Sequence, residues 1–221
     1  MPSPSQIEKQ INDLITYLVK ISLADDQCFA FQRTARDNLV QVTFVGSEHI
    51  SVALRNLPYD RIYQHLAQER AYNVKMLDGA LVQMMYMFAD QTLQRHRLAF
   101  FPSPHLEEFQ NNPDIYQDDE MYADVVGRNI VPFPVRFDYD VQEGHRELDH
   151  PKSHLTLGQY QNCRIPVTAP MMPFRFIDFI LRNFYHTAFV RQTGGFPVQN
   201  DSFAESIRPT ERSVIHLVVP T

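Results

Sequence analysis

Glycine is scarce in this sequence, seven residues in 221, and none of the seven sits in a phosphate-cradling pattern. A P-loop or a Rossmann turn needs glycines at fixed spacing so that backbone N–H groups can approach phosphate, and both are therefore excluded. Cysteine is scarcer still. Cys28 and Cys163 are too few for a disulfide framework in a chain of this length, and without a CxxC pair there is no thiolate zinc site. Both are expected to be reduced and to serve as small buried hydrophobes. No nucleophile elbow marks a Ser-His-Asp site.

Long apolar runs are also missing. None approaches the roughly 18 residues that cross a bilayer. The first residues, Met1-Pro-Ser-Pro-Ser-Gln6, lack the basic and apolar regions of a secretory signal. A cytoplasmic protein with no membrane partner is expected. Basic charge is in deficit, with 20 Lys and Arg against 26 Asp and Glu. A net charge of -6 argues against coating nucleic acid by general electrostatics, although it leaves room for a local basic cleft.

Apolar residues make up 44% of the chain and aromatics 12%, enough to offset the entropy of ordering one core, so one domain over residues 1–221 is expected. Ser5 with Glu8 forms a capping-box pattern, and Ile7, Ile11, Leu14, Ile15 and Leu18 recur at helical spacing to about Leu23. Leu39 to Val45, a Gly46-Ser47 turn and the alternating His49 to Leu54 read as a hairpin. Pro58 opens a helix that carries Ile62 and Leu66. Ala80 to Phe88 has helix-forming residues, yet Gly79 before it and the alternation from Leu93 to Phe101 favour a second hairpin. Pro102 to Gly127 reads as loop, with the acidic run Asp118-Asp119-Glu120 a solvated face. Strands are expected over Val131 to Asp140, His154 to Leu157, Cys163 to Val167 and Val214 to Val219, and a helix from Pro173 with the stripe Phe176, Ile177, Ile180, Leu181. The fold class is therefore α+β: a mainly antiparallel sheet of hairpins, packed by an N-terminal helix, a helix near 58–70 and a helix near 173–187.

One polar segment runs from Arg136 to Arg164. Asp138 and Asp140 share a strand face and are suited to binding a divalent cation or flanking a water. His150 and His154 lie four apart around Pro151, where a turn can bring two imidazoles together to hold a metal or move protons. Asp138, Asp140, His150 and His154 are the candidate catalytic residues, and Asp138, Asp140 and His150 the candidate metal ligands. Arg136, Lys152 and Arg164 are candidate substrate-binding residues, since a guanidinium fork suits phosphate or carboxylate. The bland alternative is turn chemistry and a structural Arg–Asp ion pair. His49-Ile-Ser51 and His154-Leu-Thr156 also fit the loose His-x-Ser/Thr pattern, which resembles two-histidine phosphoesterases.

Several blocks, Gln83 to Tyr86, Arg97 to Pro104, Phe137 to Asp140, His150 to Gly158, Asn162 to Val167 and Phe176 to Tyr185, together resemble a family of uncharacterised bacterial proteins known only as a domain of unknown function. The resemblance implies a bacterial cytoplasmic origin and, for such families, a place in plasmid, prophage or defence gene clusters. Two functions are expected. One is an accessory or regulatory subunit of a bacterial defence or mobile-element system that acts through a protein partner, suggested by the 16 Phe and 10 Tyr. The alternative is a metal- or histidine-dependent phosphodiesterase or nuclease that acts on nucleic acid or a nucleotide signal. They part on whether the polar residues gather in an open cleft.

Overall fold

A computed structural model describes residues 2–35, 39–105, 132–142, 146–160, 162–192 and 195–220. Helix α1 spans Pro4–Lys20. Its cap is Ser3 rather than the expected Ser5, with Gln6 completing the capping box. Pro4 explains the shift, because its missing N–H costs nothing in the first helical turn. Strands β1 (Ala24–Gln27) and β2 (Phe31–Thr34) follow, then β3 (Val40–Thr43) and α2 (Tyr59–Gln68).

The second arm of the first expected hairpin is not a strand. Ser47–Leu54 forms a 3-10 helix. Gly46 turns the chain at φ +88°, and a Cβ there would lie 2.6 Å from the Glu69 carbonyl oxygen, so the turn is seated against the end of α2. Val52 is buried with Ile62 and Leu66 instead of across a strand pair. Packing on a neighbouring helix has replaced pairing as the way to hide the same apolar residues.

Strand β4 (Val74–Met76) leads into the longest hairpin, β5 (Leu81–Ala89) and β6 (Thr92–Phe101). Asp90 and Gln91 both take positive φ, the two-residue turn whose twist matches the flanking strands. β7 (Val135–Asp140), β8 (Ser153–Leu157) and the short β9 (Ile165–Pro166) complete a nine-stranded sheet. Its order is β1-β4-β5-β6-β7-β8-β9, with β3 also pairing to β5 and β2 to β3, and every strand pairing is antiparallel. Helices α3 (Pro173–Phe184) and α4 (His186–Gln192) follow. The α+β class and the three expected helices are what the structure has.

The strand expected over Val214 to Val219 is reduced to one bridge, Val167 to Leu217, and Ile215 is 90% exposed. Both cysteines are half-buried rather than buried. Most of the loop expected over residues 102–127, with its acidic run, lies outside the described residues. Among the described residues no helix is long and apolar enough to cross a membrane.

The two sheet faces differ, and that difference positions the site. Side chains alternate along β6, so Leu98 and Phe100 join the main core with Ile11, Leu14, Phe176 and Ile177 of α1 and α3. Ala99 and Phe101 face the other way and pack with Ile62 and Leu66 of α2. The end of that second face nearest Leu81 is apolar. Farther along the same strands come Arg95 and Arg97 on β6, Arg136, Asp138 and Asp140 on β7, and His154 and Thr156 on β8, in register.

Candidate functional site

Antiparallel register does the gathering. Asp138 stands opposite Arg97 on one side and His154 on the other, while Asp140 stands opposite Arg95 and Arg136 opposite Thr156. Side chains directly opposite on one face lie close enough to interact. All of these except Thr156, together with His150 and Arg164, line a cavity of about 240 Å³. Lys152 is not among its lining residues; its backbone carbonyl accepts from the Asp140 N–H at 3.0 Å.

Asp138 is the hub. Its Oδ1 accepts from Arg97 Nε at 3.0 Å and its Oδ2 accepts from Arg136 Nε, and the carboxylate is only 14% exposed. Burial alone would raise its pKa, but Arg97, then Arg136 and His154, outweigh this and hold it at about 2. Asp140 pairs with Arg95, and its other oxygen accepts from the Gln142 N–H at 2.8 Å. Both carboxylates thus already have cationic partners. A divalent cation placed between them would meet guanidinium groups, so this donor set suits an anion. Among the described residues no group of three His, Cys, Asp or Glu is arranged to hold a metal ion.

The two histidines do meet. Pro151 prevents a helix, and the turn places the rings of His150 and His154 5.2 Å apart and nearly perpendicular. His154 Nδ1 lies 2.9 Å from the Pro151 carbonyl, which can only accept, so this nitrogen carries the proton in the neutral ring. Nε2 is then the basic nitrogen, 4.0 Å from Asp138 Oδ2. Burial lowers the His154 pKa against the pull of Asp138, and His150 and Arg164 lower it further. A neutral base is held beside a carboxylate that would stabilise it once protonated.

Two more cavities adjoin this one on the polar face. One of about 270 Å³ shares Arg95 and Arg97 and extends past Met85 and Met87 to Gln41 and Arg33. Another of about 310 Å³ shares Arg136 and Arg164 and reaches Arg55 and Tyr160. The three form a trough across the strands from β2 to β8, about 24 Å at the usual strand spacing. Reasoning from the sequence missed Arg33, Arg55, Arg95 and Arg97, which are scattered over 65 positions; the strand alternation around Arg95 and Arg97 was the available signal.

The pattern fitted by His49 and Ser51 does not make a second histidine of this site. His49 sits on the 3-10 helix with Glu48 and Glu69 within 3.8 Å, and its ring is 5.9 Å from that of His65. The two-histidine phosphoesterase arrangement, which needs paired strands, is therefore overturned.

On the core side of β6, His96 is a second neutral histidine. Its Nε2 accepts from the Met171 N–H at 3.0 Å, and burial, only partly opposed by Asp138, lowers its pKa to about 4. An unfolded histidine titrates near 6.5, so on acidification the unfolded chain takes up a proton that the fold refuses. The stabilisation is complete above pH 6.5 and is lost between pH 6.5 and 4, by about 3 kcal/mol. Urea midpoints measured at pH 7 and pH 4.5 should show the drop. A flat profile would mean that His96 is charged in the fold.

Fold and site together define a class: an α+β protein whose antiparallel sheet has one face built as an arginine-lined trough around a histidine pair. Residues 23–219 match the family described as an uncharacterized conserved protein (DUF2290), and the chain belongs to that family. No curated protein and no solved structure matches it.

Proposed function

We propose that this protein binds single-stranded RNA in the trough and cleaves it by acid–base catalysis at the histidine pair. The observation that carries this reading is the convergence of His150, His154, Arg136 and Arg164 in one cavity, with the basic Nε2 of His154 in reach of Asp138. His154 Nε2 takes the proton of a ribose 2′-OH. The 2′ oxygen forms a bond to the adjacent phosphorus as the bond to the 5′ oxygen breaks, and His150 protonates that leaving oxygen. Arg164 and Arg136 offset the charge that builds on the phosphate oxygens. Acting on an intracellular RNA, the protein would work in the cytoplasm.

Incubation of the protein with a single-stranded RNA in the presence of EDTA should give products ending in 2′,3′-cyclic phosphate, while DNA of the same sequence stays intact. Equal cleavage of the DNA would remove the 2′-OH mechanism, and no cleavage of either would remove the reading.

A second reading, an accessory or regulatory subunit of a bacterial defence or mobile-element system, is supported by a different observation. Ile215 is 90% exposed, Val218 70% and Val214 43%, an apolar run that a protein partner would cover. Under that reading, size-exclusion chromatography with the neighbouring gene's product gives one stable complex, and substitution of Ile215 and Val218 by serine separates it. Two separate peaks from the unaltered proteins would dispose of it.

A further inference from the structure

The cavity of about 310 Å³ beside the histidine pair is built differently from the rest of the trough. Arg136 is committed to Asp138. Arg55 and Arg164, by contrast, have no carboxylate partner among the described residues. Among the described residues no Asp or Glu lines this cavity. Two guanidinium groups facing one space without a counter-ion repel each other, an arrangement that an anion would relieve.

A second, independent feature points the same way. Thr156 lines the cavity, is 7% exposed, and its buried Oγ1 has no hydrogen-bond partner among the described residues. Its register opposite Arg136 and on the face of His154 turns it toward the trough and away from the core, where its neighbour Leu155 packs. A buried hydroxyl with no partner is costly, and native structures seldom leave one so unless a ligand or water completes it. At the rim, Tyr160 is 76% exposed. Gly158, at φ +63°, makes the turn after β8 that puts Tyr160 there.

We propose that this cavity is a phosphate subsite for single-stranded nucleic acid, in which Arg55, Arg164 and the Thr156 hydroxyl hold one phosphate and Tyr160 stacks the attached base. The phosphate would be the one next along the chain from the phosphate presented to His154, since the two cavities share Arg136 and Arg164. This assignment of substrate contacts rests on the RNA reading above, but binding at the subsite can be measured without turnover. The strand can stay single because an exposed aromatic ring stacks any base and needs no pairing edge.

The test compares wild type with Thr156→Val, Thr156→Ser and Arg55→Ala. Binding of inorganic phosphate is read by calorimetry, and binding of a labelled single-stranded RNA hexamer by fluorescence anisotropy. Thr156→Val should weaken both by about tenfold or more, the loss expected for one hydrogen bond to a charged group, while Thr156→Ser, which keeps the hydroxyl, should bind as wild type. Arg55→Ala should weaken RNA binding and reduce its salt dependence by about one phosphate contact. Unchanged affinity in Thr156→Val overturns the subsite. So does a loss in Arg55→Ala alone, since that indicates diffuse attraction and no built site. If the variants weaken binding but no RNA is ever cut, the catalytic reading fails and the subsite stands. If RNA is cut with unchanged KM in both Thr156→Val and Arg55→Ala, the subsite fails and the catalytic reading stands.

Discussion

Replacement of His154 by asparagine should lower the rate of RNA cleavage by roughly 100- to 10,000-fold, the range associated with loss of a positioned general base. Asparagine is chosen because its side-chain amide can still donate toward the Pro151 carbonyl, the bond that His154 Nδ1 makes at 2.9 Å. What disappears is the basic nitrogen on the far side of the ring. Stability should fall by no more than about 2 kcal/mol, so that inactivity is not unfolding. In wild type the rate should decline as pH falls through the His154 pKa. Burial sets that value below the ordinary histidine range, so activity should persist into mildly acid solution. Imidazole added to the variant should restore part of the rate. An asparagine variant that cuts RNA at the wild-type rate removes His154 from the chemistry.

The second large effect is on stability. Asp138→Ala should destabilise the fold by about 3 kcal/mol, because removing one member of a largely buried charge cluster leaves the others uncompensated. Arg97 and Arg136 would be left 23% and 20% exposed, on adjoining strands, with no carboxylate between them. The pH dependence changes as well. Folding holds the Asp138 pKa at about 2 where an unfolded aspartate sits near 3.8. The stabilisation from this depressed pKa is therefore present above pH 3.8 and is lost as pH falls through 2, about 2 kcal/mol in all. The variant should lack this acid limb. Urea unfolding at pH 7 and pH 2.5 measures both. A midpoint within error of wild type at pH 7 would show that the cluster is too solvated to matter. Combining Asp138→Ala with Arg97→Met should recover part of the loss, since the pair is then removed together.

Much of this was legible in the sequence, for reasons that differ between elements. The β5–β6 hairpin was readable because two local features agreed: Gly79 ahead of the first arm and the alternation of the second, which one bulge beside Gln94 interrupts without hiding. All three helices were readable from apolar stripes, those from Tyr59 and Pro173 also from prolines at their starts, and the first from a capping-box pattern placed two residues late. The segment 47–54 was not. Its alternation suits a strand, and only the contact of Gly46 with the end of α2, a tertiary matter, decides for a 3-10 helix. The site divides in the same way. Asp138, Asp140, Arg136, His150, His154 and Arg164 lie within 29 positions and could be read as a cluster. Arg95 and Arg97 join them only through the pairing of β6 with β7, and Arg55 only through the packing of the 3-10 helix, so nothing local announces them. The role of Asp138 was open between cation ligand and ion-pair partner, and two arginines brought from different strands favour the pair.

The alternation of His96 and Arg97 on β6 has one more consequence. His96 faces the core and Arg97 the trough, so a slip of a single residue in the pairing of β6 would thrust a guanidinium group among Tyr86, Phe137 and Phe176 and turn Leu98 out to water. Misaligned sheets are therefore rejected by the same charged side chains that line the groove, and the chain cannot reach a well-packed interior without also assembling its array of cations.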